Sequence, residues 1–331
     1  MTPLLLSGHA SRIAYEGRKL LTSPNPSVAL PDLVDLLPPD EHRSIALARH
    51  ATKMLENQTR KDKPLSEFEQ EIHQAWVSQR ALLFEGVKAG FTWLQPDLGF
   101  YTLGADVVGA TIPLQLRYGL DTVSPKEYPE FFRQFGEDLI TSMQVYTYLS
   151  GQTDAITSTL DLGRIDAVED NDRFVKRYLK RRYDRVLSMD QKLLLLLIES
   201  EINTANTLIP LVTGSHVTAA FRARLISLWH AMASLTKILD AEPDATSPAR
   251  DNVRALVTSA DAKRMSAPGM QMVRNRSMHY EIRGKAEITF STGPMFGIVE
   301  SLTDETFESL DALVCGLGAE LSNALRTWRE S

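Results

Sequence analysis

Apolar residues recur at helical spacing over most of the chain, and this pattern predicts a mainly α-helical protein. The apolar run from Leu193 to Ile198 must be buried on most of its circumference. The predicted helices cover residues 11–21, 39–57, 65–86, 124–149, 173–187, 191–211, 217–239 and 247–265, and a last one is capped by Thr303 or Asp304. A turn or two of helix is expected over residues 270–279, and a short strand over 286–290.

Residues 90–120 interrupt the helical pattern. They mix aromatic and β-branched residues with five glycines, which favours short strands or an irregular apolar loop. Ser124, Pro125 and Glu127 then form a good helix start, since a capping box and a proline in the first turn suit a helix N-terminus. We therefore predict a regulatory or sensing N-terminal region over residues 1–123 and a helical-bundle domain over 124–331.

Composition narrows the classes of protein. A net charge of −6 argues against a uniformly basic surface that coats nucleic acid. The single cysteine excludes an internal disulfide framework and suits a reducing compartment. No apolar run is long enough to span a bilayer. These observations predict a soluble, cytoplasmic protein that does not bind membranes.

Polar and titratable side chains lie close together in the segment from Met272 to Tyr280. Arg274 and Asn275 precede His279 and Tyr280, directly after apolar residues that have the spacing of core anchors. Arginine keeps its charge and grips phosphate in a bidentate manner, whereas histidine titrates near neutral pH and can move a proton. Together these side chains are sufficient to cleave RNA without a metal ion.

The spacing of an arginine and a histidine is weak evidence alone, because Arg43 with His50 and Arg224 with His230 share it. The polar residues around the third pair and its late position in a predicted bundle distinguish it. Here the sequence resembles the HEPN family, helical bundles whose ribonuclease members carry Arg-x(4–6)-His, often with a polar residue after the arginine. The match covers Arg274, Asn275 and His279, within a region of at most residues 125–331.

The resemblance implies a homodimer with two Arg–His pairs facing one cleft. His279 would act in acid–base catalysis as the RNA 2′-hydroxyl attacks the adjacent phosphate. Arg274 would hold the phosphate, and Asn275 would orient the histidine or the substrate. Some toxins of the family carry a tyrosine two residues after the histidine, modified by a partner enzyme. Here Tyr280 is adjacent and position 281 is Glu, so that control is not expected.

A strongly basic stretch follows Asn171 and Asp172, with seven basic residues between positions 173 and 185. On a helix, its cations would oppose an apolar stripe and could follow an RNA backbone, and an aromatic side chain could stack on a base. The alternative is a solvated helix face that neighbouring carboxylates neutralise. The candidate RNA-binding residues are Arg173, Lys176, Arg177, Tyr178, Lys180 and Arg181, together with Tyr280.

Other chemistry is poorly supported. The scattered histidines and the absence of a glycine-rich phosphate loop predict no metal ion and no cofactor. The leading hypothesis is a metal-independent endoribonuclease, a toxin or antiviral defence effector. The alternative is a non-catalytic helical adaptor that dimerises and binds protein or RNA, with Arg274 and His279 in a structural polar cluster. A third, weaker option is an enzyme with a pocket at residues 90–120.

Overall fold

The protein is mainly helical with one small antiparallel sheet, as the pattern predicted. The computed structural model describes residues 3–22, 45–46, 64–85, 95–118, 123–124, 127–149, 166–213, 217–242, 244, 247–279, 288–289 and 291–328. Most of the predicted helix over residues 39–57 therefore lies outside the described residues.

The elements alternate between long helices and short connecting pieces. The helices are α1 (Pro3–Leu21), α2 (Leu65–Leu83), α3 (Thr111–Tyr118), α4 (Tyr128–Leu149), α5 (Val175–Arg182), α6 (Met189–Asn203), α7 (Ile209–Thr213), α8 (Val217–Ala241), α9 (Pro248–Val257), α10 (Ala260–Met265), α11 (Pro268–Met278), α12 (Ile298–Leu302) and α13 (Phe307–Arg326). The strands are β1 (Leu98–Leu103), β2 (Asp106–Ala110) and β3 (Glu169–Arg173), and a 3-10 turn covers Pro294–Gly297.

Helix α6 lies at the centre of the molecule. Every residue from Gln191 to Asn203 is buried, which confirms the prediction for the leucine run. The helix starts with a capping box, in which the Ser188 hydroxyl accepts from the backbone N–H of Gln191 and the Gln191 side chain accepts from that of Ser188. It packs against α2, α8, α13 and strand β2. The neighbouring elements thus cover this helix on nearly all sides.

A π-helical turn, Thr204–Leu208, separates α6 from α7. Where α6 meets the turn, Asn203 and Thr204 donate side-chain hydrogen bonds to the backbone carbonyls of Val107 and Val108 at 3.0 and 2.8 Å. These bonds attach the central helix to the sheet. The single helix predicted over residues 191–211 is therefore interrupted at the point of attachment.

The sheet has the order β2–β1–β3 and both pairings are antiparallel. The first two strands confirm the short strands predicted within residues 90–120. Strand β3 was not predicted, because its sequence Glu-Asp-Asn-Asp-Arg has no apolar residue and little β-propensity. It forms by pairing with β1, and its charged side chains suit an exposed sheet edge.

Several element boundaries differ from the prediction in the N-terminal half. Helix α1 starts at Pro3, well before the predicted Ser11. Residues from Thr111 form helix α3 instead of a strand or loop. Pro113 is tolerated there because it lies in the first turn, where its missing N–H has no intrahelical partner. Helix α4 starts at Tyr128, later than the predicted Ser124.

Similar differences occur in the C-terminal half. The helix predicted over residues 247–265 is split, because the Ser259 side chain caps a new helix by accepting from the backbone N–H of Ala262. The cap of the last helix is Thr306, whose hydroxyl accepts from Ser309 N–H, and not Thr303 or Asp304. Residues 288–289 are not in a strand, and most of the strand predicted around them lies outside the described residues.

The hydrophobic core crosses the predicted domain boundary near residue 123. Its main cluster joins Phe68 and Phe100 to Leu196 and Trp328, and strand β3 pairs with β1 across the same boundary. The described parts of residues 1–123 and 124–331 therefore share one core, while their division into two functional regions stays a prediction.

Candidate functional site

Helix α11 presents the Arg–His segment. Pro268 occupies its first turn, and a Cβ on Gly269 would lie 2.4 Å from the carbonyl oxygen of Leu302, so the small residue allows close packing on the end of α12. The helix ends at His279, whose φ of −113° and ψ of 130° are extended. It is longer than the turn or two predicted, and the histidine lies just beyond it.

Arg274 lies against helix α8. One of its guanidinium nitrogens donates to Asn275 Oδ1 at 2.8 Å, and the other lies 3.3 Å from Nε2 of the fully buried His230. Its guanidinium carbon is 5.5 Å from the ring centroid of Trp229, which is a cation–π contact. Arginine can only donate, so His230 Nε2 accepts and its proton belongs on Nδ1. Sequence analysis had set His230 aside as part of a chance match.

His279 lies against helix α1. Its Nδ1 is 3.0 Å from Oε2 of Glu16, a carboxylate that is only 3% exposed, while 34% of the histidine side chain is exposed. A buried carboxylate at one ring nitrogen fixes the orientation and tautomer of an imidazole. Sequence analysis missed Glu16, because it is 263 residues away along the chain and sits in an ordinary helical pattern.

The carbonyl of Ser277 accepts hydrogen bonds from two arginines at the same end of α11. Arg12 donates to it at 3.2 Å and Arg222 at 3.0 and 3.3 Å. Arginines are favourable here because the C-terminal end of a helix carries partial negative charge. Arg276 is also buried in this helix. The end of α11 therefore brings two guanidinium groups to the Ser277 carbonyl, two residues before His279, and guanidinium groups are common ligands of phosphate.

The predicted RNA-binding residues form a separate surface on α5 and strand β3. Lys176, Arg177, Lys180 and Arg181 are exposed on α5, whereas Arg173 is the last residue of β3 and not part of the helix. Two of these cations lie over aromatic rings: Lys176 over Trp76 at 5.5 Å and Arg177 over Phe174 at 5.3 Å. Helix α5 packs on α6, whereas α11 packs on α8.

Tyr178 points toward the interior. Its ring packs on Phe100 with 4.4 Å between centroids, and its hydroxyl accepts a hydrogen bond of 2.6 Å from Arg182. Burial raises the pKa of Tyr178 to about 12. One ring face is therefore covered, which limits the stacking on a base that was predicted for this residue.

A buried ion pair holds the basic helix in place. Arg182 binds Glu199 of α6, which is fully buried, and the Tyr183 hydroxyl also reaches that carboxylate. Burial raises the pKa of Glu199, an effect that the charge of Arg182 opposes. The structure assigns Glu199 to anchoring α5.

The remaining predictions concern Tyr280, metals and membranes. Tyr280 lies outside the described residues. Within the described ranges, no three His, Cys, Asp or Glu side chains cluster closely enough to hold a metal ion. Of the helices that the structure describes, none combines the length and apolar character needed to cross a membrane.

Comparison with known proteins gives no relative: the chain matches no family model, and neither a curated protein nor a solved structure is detectably similar to it. The HEPN resemblance therefore rests on Arg274, Asn275 and His279 and stays a prediction.

Proposed function

We propose that this chain is a metal-independent endoribonuclease whose active site is formed around the C-terminal end of α11. The observation that carries the proposal is the pairing of the partly exposed His279 with the buried carboxylate of Glu16. Because the carboxylate accepts the proton on Nδ1, it leaves Nε2 with a lone pair that can take a proton from substrate. A histidine held in this way and open to solvent on one side can act in acid–base catalysis.

The proposed reaction begins when His279 Nε2 removes the proton from a ribose 2′-hydroxyl. The 2′-oxygen then bonds to the adjacent phosphorus, the bond from phosphorus to the 5′-oxygen breaks, and the leaving oxygen takes up the proton from the imidazolium that has formed. The products are a 2′,3′-cyclic phosphate and a 5′-hydroxyl. Arg274 would stabilise the charge that develops on the phosphoryl oxygens, with Asn275 keeping its guanidinium in position through their 2.8 Å hydrogen bond.

The proposal includes a homodimer in which both copies contribute an Arg–His pair to one cleft. RNA would approach along the exposed cations of α5, so a phosphate backbone would meet positive charge on a chain with a net charge of −6. A cytoplasmic toxin or antiviral defence effector, regulated through residues 1–123 or by a protein partner, is the setting that this activity would suit.

The test is a cleavage assay on mixed RNA in the presence of a chelator. We expect wild type to produce fragments ending in 2′,3′-cyclic phosphate, and His279→Ala to be slower by about a hundredfold or more, since general acid–base catalysis contributes 10²–10⁴-fold. Glu16→Gln should fall between the two, because the amide still bonds the ring but cannot stabilise an imidazolium. His73→Ala is the matched control, because His73 is half exposed on α2 and pairs with Asp190 instead.

Equal cleavage by wild type and His279→Ala would contradict the proposal. The proposal would also be contradicted if the wild type left the RNA intact over a range of salt and protein concentrations, including those at which the dimer forms. Each variant is first compared with wild type by circular dichroism, so that a loss of activity is not confused with a loss of fold.

A second candidate function is a non-catalytic adaptor, and the same ion pair favours it. The Glu16–His279 contact joins α1 to the end of α11, and Arg12 joins the same two helices through the Ser277 carbonyl. A polar cluster that only holds α1 against α11, with no catalytic role, would have the same geometry. On this hypothesis the protein binds RNA or a protein partner without cleaving RNA, and His279→Ala lowers the midpoint of thermal unfolding without changing any reaction.

A further inference from the structure

A cavity of about 470 Å³ opens between α2, the sheet, α3 and the start of α4. Its volume is within the range of small-molecule sites. Most of its wall is apolar and aromatic, with Leu98, Tyr118, Tyr128 and Phe132 among the lining residues. None of the Arg–His site residues line it, so it would serve a purpose separate from RNA cleavage.

One face of the sheet supplies the floor and a charged rim. Tyr101 is opposite Asp170 and Gly99 is opposite Asp172, so alternation along the strands places all four on the same face. Both aspartates are exposed and also line the cavity. Burial, together with the two carboxylates, raises the pKa of Tyr101 to about 12, which agrees with their closeness to the phenol.

Two buried glutamines also belong to the wall of this cavity. Gln79 and Gln115 line the cavity and are only 3% and 8% exposed, yet Oε1 of each has no hydrogen-bond partner among the described residues. The orientation of the Gln79 amide follows from its Nε2, which donates to the carbonyl of Asp97 at 2.6 Å. Both oxygens are shielded from the open space, so they make the wall more polar without being direct contacts for a ligand.

The cavity therefore offers carboxylates and aromatic side chains, and no Lys, Arg or His is among the described residues that line it. We propose that it binds an organic cation, a primary amine carried on an apolar body. The ammonium group would donate to the carboxylates, and the body would lie against the tyrosines and Phe132. Aromatic rings add attraction for the cation through their negative faces.

The test is calorimetric titration of the full chain with three probes that share one body: 4-phenylbutylamine, 4-phenylbutanol and 4-phenylbutanoate. We expect the amine to bind, the alcohol to bind about tenfold more weakly, and the carboxylate to give no measurable heat. Equal binding of the amine and the alcohol, tighter binding of the carboxylate, or no binding of the amine at millimolar concentration would each overturn the proposal.

Variants locate the site. Removing both rim charges in Asp170→Asn with Asp172→Asn should weaken the amine about five- to tenfold, because exposed charges contribute modestly, and leave the alcohol unchanged. Glu169→Gln is the matched control: it removes a charge from the opposite face of the same strand and should not alter amine binding. Unchanged alcohol binding by the double variant shows that the cavity is intact, so an unchanged amine affinity in that variant would overturn the assignment.

Discussion

The Arg–His region and the cavity between α2 and the sheet differ in where their polar groups are engaged. At the end of α11, the arginines and histidines contact one another, the Glu16 carboxylate and a backbone carbonyl. In the cavity, the carboxylates of Asp170 and Asp172 are exposed at the rim. The first region has a conspicuous sequence pattern and the second has almost none.

This contrast shows what a cluster of polar residues in a sequence can and cannot predict. Arg274 and His279 were singled out because they are close along the chain, yet their main contacts come from Trp229, His230 and Glu16 on other helices. The groups of the cavity are dispersed over the chain and only the fold brings them together. Polar residues that are close together in sequence thus predict polar contacts in the fold better than they predict an open ligand site.

The largest effect on stability is expected in the Arg–His region. Arg222→Met removes two hydrogen bonds from a charged donor to the Ser277 carbonyl and should lower the free energy of unfolding by about 2 kcal/mol. Urea unfolding followed by circular dichroism measures it. Arg133→Met is the control, because that exposed arginine pairs with Glu130 and Glu137 on the surface of α4 and its loss should leave stability nearly unchanged. If both substitutions had equally small effects, the contacts around α11 would not form a tightly bonded cluster.

A smaller effect is expected at the floor of the cavity. A Cβ on Gly99 would lie 2.8 Å from Cγ2 of Thr111, so Gly99→Ala should destabilise the fold by about 1 kcal/mol through overpacking. Gly136→Ala on α4 meets no atom within 4 Å and should instead stabilise by about 0.5–1 kcal/mol, since glycine is unfavourable inside a helix. Thermal unfolding distinguishes the two signs. A stabilised Gly99→Ala would mean that the floor is less closely packed than the structure has it.

A third effect appears only in alkali. Because the pKa of Tyr101 is raised to about 12, the folded protein keeps this phenol protonated where the unfolded chain, with a pKa of about 10, has released the proton. The stabilisation is complete below about pH 10 and is lost as the pH rises through about 12. Tyr101→Phe should therefore lose less stability than wild type in that window, as urea unfolding at successive pH values would show. Identical slopes would mean that burial and the two carboxylates do not raise the pKa of this phenol.

Local patterns predicted the parts of the fold that depend on neighbours in sequence. The leucine run, the helix over residues 65–83 and the Ser247–Pro248 helix start follow from periodicity and capping. Strand β3 could not be predicted, because only its partner strand makes an acidic pentapeptide extended. Glu16 could not be found either, since no rule of spacing joins a carboxylate on the first helix to a histidine near the end of the chain.

The π-helical turn after Asn203 changes the directions in which the following side chains point around the helix axis. A turn of this kind holds one residue more than an α-helical turn, so side chains after it are rotated by roughly 100° from where an uninterrupted helix would place them. One helical periodicity therefore does not describe the residues of both α6 and α7, and each helix needs its own helical wheel. Loss of a single residue from this turn would exchange buried and exposed positions on one side of it, whereas surface loops absorb such changes readily.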